Sequence, residues 1–484
     1  LCALAAFLSL TLIPSCTRDT NPNQDTQTLY ILSPHGADIR REFAQAFSAW
    51  HLAHYGSPVA VQWTDIGGGG TGTIAKYLET LYRSSDSSGN DLVFGGGSAQ
   101  FSQYASAGFL VPPPSLDPAD AYFKQDPLAA VPTDLFGQPL QHPQRLWYAA
   151  TMASFGIVMN KDRIAELGLP LPRTWEDIAG PQWIGRLSLA DPSKSGSVKT
   201  SYEQIFQQHG WEKGWAILTC LFANADTVRD GGSNPAEDVG SADAVAGIVI
   251  DFFGRIHITR AGPSILGFVI PEGGSALDAD PIGMLKGAPH PELAARFIRF
   301  TLSPDGQRLW TFKPGVAGGP KKAALGRLAV LPSLYEQEPQ FMLDPASPFA
   351  LTGAAKPLRT DAKAQAVRNK FLGDLIKATL IDNHKLLAET RRVLRAAGDP
   401  PDLLAELVAP PTFTPATAAN GALTFGPPQP ITSAAQATLA DDFSPAPNSP
   451  KAAHLEQLQT HLRNHWRDTS RSRLESILAN ARHL

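Results

Sequence analysis

The order of apolar runs and small-residue loops predicts an α/β fold built on parallel sheet. Three units of strand, small-residue loop and helix follow one another from Leu29 onward, and the middle of the chain repeats that order from Phe155 to Phe206. Strands that alternate with helices lie parallel in one sheet, with the helices on its faces. Hydrophobic residues at 43% and charged residues at 18% give the chain a core to bury. Its 484 residues leave room for about three domains of roughly 150 residues, or for two lobes and an appendage. Lys plus Arg number 41 against 45 Asp plus Glu, a net charge of −4. The total charge therefore favours neither nucleic acid nor an anionic membrane surface as partner.

Leu1 to Pro14 is apolar almost throughout but shorter than the stretch of about 20 residues that spans a bilayer, so it reads as a signal-peptide core. The Ser15-Cys16 junction resembles the lipobox of bacterial lipoproteins, which implies acylation of Cys16 and an anchor in a membrane. An ordinary secretory signal or a buried first helix is the alternative. The first residue is Leu and no positive region precedes the core, so the start reads as truncated. Residues 1–16 are thus a lipoprotein signal segment, and the polar residues 17–28 a tether. Of the three cysteines, only Cys220 lies elsewhere, and its apolar neighbours predict a core thiol.

Leu29 to Leu32 has the pattern of a strand, followed by a helix with Ile39, Phe43, Phe47 and Trp50 on one face. Strand Val59 to Trp63 ends at Gly67 to Thr73, which opens a helix marked by Ile74, Tyr77, Leu78 and Leu81. Strand Asp91 to Phe94 runs into Gly95 to Ser98 and a third helix. Phe155 to Met159 and Arg186 to Leu189 are strands, the second stopping at Asp191 to Ser197 before the helix of Tyr202, Ile205 and Phe206. Ala244 to Phe253 and Leu266 to Ile270 read as buried strands, Pro291 to Leu302 as a helix, and Asp361 to Ala397 as helical with few breaks. Ala409 to Pro450 has the Pro, Ala and Thr bias of a linker. Ala453 to Leu484 ends the chain in a helix with Leu455, Leu458, Leu462 and Trp466 on the face that packs on the body.

Small-residue turns between a strand and a helix point backbone N–H groups, at the positive end of the helix, towards phosphate or carboxylate oxygen. Gly67 to Thr73 has the glycine spacing of a P-loop, but Thr73 stands where the phosphate-binding Lys must be. Gly67-x-Gly69-x-x-Gly72 matches the dinucleotide fingerprint, yet Asp91 comes at the start of the next strand where an acid is needed at its end. No Gly-x-Ser-x-Gly elbow or Ser-x-x-Lys occurs among Ser193, Ser195 and Ser197, so the reading is of a binding protein and not an enzyme. The histidines lack metal-ligand spacing. His461 and His465 read as a solvated face, and His35 lies where an open α/β sheet holds its ligand. Neither a metal nor a cofactor is expected.

From about Leu29 to Tyr335 ordered blocks carry a resemblance. Ser154 to Asp162 (SFGIVMNKD) precedes Leu167 to Pro170 and Pro172 to Ile178 (PRTWEDI), then Gly185 to Gly196 (GRLSLADPSKSG). Val269 to Gly273, Pro281 to Ala288, Ala294 to Phe300 and Leu302 to Gln307 follow in turn. In this order the blocks resemble the extracellular solute-binding proteins of bacterial ABC importers, in the branch that binds ferric iron, phosphonates and sugar phosphates. The resemblance implies a two-lobed, type II periplasmic-binding-protein-like fold with hinge strands. Lobe 1 would take residues 29–148 and 277–345, and lobe 2 residues 149–276. Helices at 346–398, a linker at 399–452 and a terminal amphipathic helix at 453–484 would form the C-terminal extension.

It also implies capture of a small solute between the lobes, delivery to permease subunits, and a monomer anchored at the periplasmic or outer face of a membrane. Iron-binding relatives use an adjacent tyrosine pair; Phe252-Phe253 stands there and supplies no phenolate, so direct ferric binding is not expected. Asp251 with Phe252 gives only a hint of a polyamine site, and a secreted enzyme on a similar fold is the remaining rival. The candidate ligand residues are Ser33, His35, Gly70, Thr71, Gly72, Thr73, Gly97, Ser98, Ser193, Ser195, Gly196, Ser197 and Ser233. They suit an oxygen-rich anion, which Arg229 could neutralise.

Overall fold

The computed structural model describes residues 26–484 except 68, 69, 121, 124, 354 and 355, so the signal segment, Cys16 and most of the tether lie outside the described residues. In chain order the first part contains β1 (Gln27–Leu32), α1 (Ala37–Tyr55), β2 (Val59–Trp63), α2 (Thr71–Tyr82), β3 (Leu92–Phe94), α3 (Ser98–Ser106) and β4 (Leu110–Val111). A short hairpin, β5 (Asp134–Leu135) with β6 (Gln138–Pro139), leads to β7 (Tyr148–Ala153). The chain then crosses to β8 (Phe155–Asn160), α4 (Lys161–Glu166), α5 (Trp175–Ala179), β9 (Leu187–Ala190), α6 (Gly196–His209), α7 (Trp211–Asn224), β10 (Ala225–Arg229), α8 (Asn234–Gly240), β11 (Ala246–Ile250), α9 (Asp251–Ala261) and β12 (Leu266–Val269). It returns through β13 (Asp278–Leu285), α10 (Pro291–Leu302), α11 (Pro304–Thr311) and α12 (Pro332–Gln337).

Two sheets of the same design result. In the first, β2, β1 and β3 are parallel and β13 runs antiparallel beside β3, pairing β4 and β7 as well. In the second, β10, β9 and β11 are parallel, and β8 and β12 continue the sheet antiparallel. The sheets define two lobes, joined where β7 passes into β8 and where β12 leads to β13. Ser154 sits at the first crossing, and Ser275 Oγ near the second accepts from Phe155 N at 2.9 Å. Each parallel strand ends in a short loop that opens a helix, so the loops of both lobes gather at the strand ends, where open α/β sheets bind ligands.

Lobe 1 packs its core from β1, α1, β3 and α10, with Phe43, Phe47, Phe94, Phe297 and Trp310 in mutual contact. The core of lobe 2 contains Trp175, Trp183, Trp211 and Trp215, and it continues without a break into the C-terminal extension. That extension comprises α13 (Ala362–Arg368), α14 (Leu372–Ile376), a π-helical turn (Lys377–Ile381), α15 (His384–Ala396), α16 (Pro401–Val408), β14 (Thr412–Phe413), β15 (Ala416–Ala419), β16 (Ala422–Phe425), β17 (Gln429–Pro430), α17 (Gln436–Phe443) and α18 (Leu455–Ala481). Phe371, Leu372, Leu375 and Ile376 are fully buried against lobe 2, and burying each such side chain is worth about 1.5–3 kcal/mol.

Four expectations are corrected. Residues 399–452 are not a linker: they hold α16, two strand pairs and α17, and bury Phe413, Ile431, Leu439 and Phe443 in the lobe 2 core. The predicted strand 244–253 stops at Ile250, because Asp251 begins α9. His461 and His465 are half-buried and not a solvated face; their Nε2 atoms bond Thr414 Oγ1 at 2.8 Å and Thr412 Oγ1 at 3.0 Å, and Phe425 stacks on His461. Leu455 is exposed, while Leu458, Leu462 and Trp466 pack as expected. Cys220 is half-buried in α7, and burial pushes its thiol up.

Candidate functional site

Lobe 1 contributes three loops, fixed by one carboxylate on the return strand. Asp280 of β13 accepts from Arg327 Nη2 at 2.6 Å, from Gly96 N at 2.7 Å and from Gly97 N at 3.4 Å, and its Oδ2 lies 3.0 Å from His35 Nε2. Burial alone would raise the Asp280 carboxyl, but Arg327 and His35 outweigh it and hold the group well below the usual range. Burial lowers His35 in spite of Asp280. Gly95, Gly96 and Gly97 all have positive φ (93°, 129° and 85°), a region L side chains rarely adopt. A Cβ on Gly95 would lie 2.5 Å from His35 Nε2, and one on Gly96 2.5 Å from Thr71 Cγ2. The loop is thus clamped between His35 beneath and Thr71 above.

This geometry revises the roles of three predicted ligand residues. His35 is buried edge-on against Phe94 and Trp310, so it supports Asp280 from below. Ser33 is buried beside it, its Oγ accepting from His35 N at 3.1 Å. The Gly97 amide is already held by Asp280. Ser98 opens α3 and donates its hydroxyl to Asp278 Oδ1 at 2.5 Å. Asp278 is half-buried, and burial pushes its carboxyl up to about 6, with the Asp280 charge adding to the shift against the Ser98 bond.

Gly70 caps α2, and Thr71, Gly72 and Thr73 form its first turn. Across the cleft Ser195 caps α6, its Oγ bonding Ser197 Oγ at 3.1 Å and accepting from Val198 N at 3.5 Å. A Cβ on Gly196 would lie 3.2 Å from Thr71 Oγ1, so the N-termini of α2 and α6, one from each lobe, meet here. Gly232 completes the contact: its Cβ position is 2.8 Å from Ser195 Oγ and 3.3 Å from Ser197 Oγ. Two helices of 12 and 14 residues direct their positive ends and hydroxyl donors at one place.

The other lobe 2 candidates lie apart from that meeting point or are already engaged. Ser193 is exposed, its N–H donating to Asp191 Oδ1 at 2.8 Å. Ser233 Oγ donates to Glu237 at 3.0 Å, and Arg229 pairs with Asp238 at 3.1 Å, its side chain half in solvent. Asp251 is engaged within the protein: fully buried, it accepts from Ser154 N and Oγ, both at 3.0 Å, and from Arg255 Nη1 at 3.0 Å. Phe252 packs its ring under the Arg327 guanidinium at 4.6 Å. Among the described residues no group of three or more His, Cys, Asp and Glu side chains could hold a metal ion. None of the helices described is long and apolar enough to cross a membrane. Asp278, Asp280 and Arg327 were not predicted; the spacing of the first two on one strand face was readable, whereas nothing local marks Arg327.

Two α/β lobes with a double crossover and loops gathered at the strand ends have the fold of type II periplasmic binding proteins. Residues 116–320 match the family model described as bacterial extracellular solute-binding protein. The match spans most of the ordered blocks that carry the resemblance, so over residues 116–320 the chain is similar to this family. It is 30% identical over 218 residues to the phosphoglycerate transport regulatory protein PgtC of Salmonella typhimurium, covering 42% of this chain and 54% of that protein. The chain thus spans about half the length of this curated relative. In fold it is similar to the periplasmic binding protein AfuA of Actinobacillus pleuropneumoniae, solved with fructose-6-phosphate bound, at a TM-score of 0.56 and 19% identity over 74% of this chain and 99% of that one. A ferric iron-binding protein A of Mannheimia haemolytica in an open conformation gives a TM-score of 0.50 and 14% identity, over 74% and 99% of the two chains.

Proposed function

We propose that this chain is the substrate-binding component of an ABC-type importer, which captures an oxygen-rich or phosphorylated organic anion between its lobes and delivers it to a membrane permease. The observation that carries this reading is the approach of the α2 and α6 N-termini at Thr71 and Gly196. Backbone and hydroxyl donors from both lobes suit an anion's oxygens, and Asp278 beside the Gly97 loop offers an acceptor for a hydroxyl. The phosphoglycerate transport named for the Salmonella relative and the sugar phosphate in AfuA agree with this class of solute. Phe252-Phe253, packed and without phenolate oxygen, argues against direct ferric ligation.

Cys16 is proposed to carry a lipid that holds the protein at the periplasmic or outer face of a membrane, where it works as a monomer. Native mass spectrometry of the freshly purified protein tests the solute: a retained phosphorylated or carboxylated metabolite is expected, and retained iron or a cationic amine would contradict the reading. Cys16→Ser should release the protein from the membrane fraction; unchanged association would remove the anchor.

A further inference from the structure

The extension after residue 360 is tied at three points along α6, the helix whose N-terminus forms the lobe 2 half of the proposed grip. Lys199, Glu203 and Gln207 stand four apart on α6 and so share one side of it. Lys199 Nζ donates to Asn369 O at 3.4 Å. Arg368 Nε donates to both Glu203 carboxylate oxygens at 3.0 and 2.9 Å, and its Nη2 donates at 2.6 Å, with Glu203 fully buried. Gln207 Nε2 donates to Asp361 O at 3.1 Å and its Oε1 accepts from Asp361 N at 2.8 Å. As numbers fall along α6 they rise along α13, so the two helices run antiparallel and are pinned at three levels.

The next element reaches the loop itself. A Cβ on Gly373 of α14 would lie 3.1 Å from Pro192 O and 3.3 Å from Ser193 Cα, closer than ordinary side-chain contact. The flanking Phe371 and Leu372 are fully buried in the lobe 2 core, so α14 has little room to retreat. The Pro192-Ser193 turn leads directly into Ser195, Gly196 and Ser197 at the head of α6.

We infer that the 361–373 segment is a positioning element of the solute site, which sets the axis of α6 and backs the turn before it, and that Gly373 is its point of contact. The effect on solute rests on the binding reading above; the effect on the loop does not. The test uses the full chain with Gly373→Val, Gly373→Ala should the first fail to fold, and Leu458→Ala as a core variant of α18 outside the 361–373 segment. Two quantities are read at 25 °C: amide hydrogen exchange over residues 193–199, and calorimetric affinity for fructose 6-phosphate and 3-phosphoglycerate. The Gly373 variant should raise exchange over 193–199 without raising it in lobe 1, and weaken binding about tenfold, the scale of one displaced polar contact. Leu458→Ala should lower the melting temperature and leave both quantities unchanged. Unchanged exchange and affinity in the Gly373 variant would overturn the inference, as would an equal response in Leu458→Ala. If the wild type binds neither probe, the solute reading fails and the exchange over 193–199 alone decides the positioning role.

Discussion

The carboxylate of Asp280 shows how one residue shapes a loop that consists only of glycines. It bonds the amides of Gly96 and Gly97 and is itself fixed by His35 and Arg327, so the loop has a defined shape without side chains of its own. Gly96→Ala should destabilise the protein by more than the roughly 1 kcal/mol usual for a glycine replacement, because φ is 129° and Thr71 occupies the Cβ position. Urea unfolding measures it, and an unchanged midpoint would show that the clamp is absent. Asp278 gives a pH signature. Its carboxyl, raised to about 6 in the fold, contributes stability that is complete below about 4 and lost as pH rises through 6. Asp278→Asn should therefore gain melting temperature relative to the wild type between about pH 4.5 and 7.5, and a constant difference would contradict the assignment. The depressed Asp280 acts in the opposite sense, its stability being lost as pH falls below about 4.

Among the elements, those with a strong local period were readable. The faces of α1, α2 and α10 and the strands β1, β2, β8 and β9 follow from their apolar spacing, because each buries one side or is buried whole. The stretch 409–450 has the composition of a linker but folds through core contacts from widely separated residues, Phe413, Ile431, Leu439 and Phe443, set in a Pro- and Thr-rich background. Asn420-Gly421, both at positive φ (52° and 74°), makes the tight turn between β15 and β16 and was the local signal for a hairpin. Integration of this part with lobe 2 is testable. Trp466→Ala should cost about 3–5 kcal/mol and lower the unfolding transition of lobe 2 with it. A separate transition for residues 399–484, leaving the rest unaltered, would contradict a shared core.

At the scale of the whole molecule, the sequence order of the loops indicated which segments belong to the cleft, but not which atoms remain available in it. Thr71, Ser195, Gly196 and Ser197 do come together across the lobes. His35 and Asp251 are instead occupied by partners 245 and 97 residues away in sequence, pairings set by tertiary packing that no local pattern encodes, and Ser33 is taken up locally by the His35 amide. Loss of one hydroxyl donor costs about 0.5–1.5 kcal/mol, or up to about 3 if it bonds a charged oxygen, so Thr71→Val and Ser195→Ala each reach into the proposed grip from a different lobe. The most direct measurement is calorimetric titration of the full chain with fructose 6-phosphate, 3-phosphoglycerate and ferric citrate, repeated on these two variants. Binding of a phosphorylated anion that weakens in both variants while both stay folded at the titration temperature is the predicted result, the lost α6 cap costing Ser195→Ala only about 1 kcal/mol of stability. Binding of ferric citrate alone, or of a phosphorylated anion with affinity unchanged in both variants, would contradict capture between the two helix N-termini.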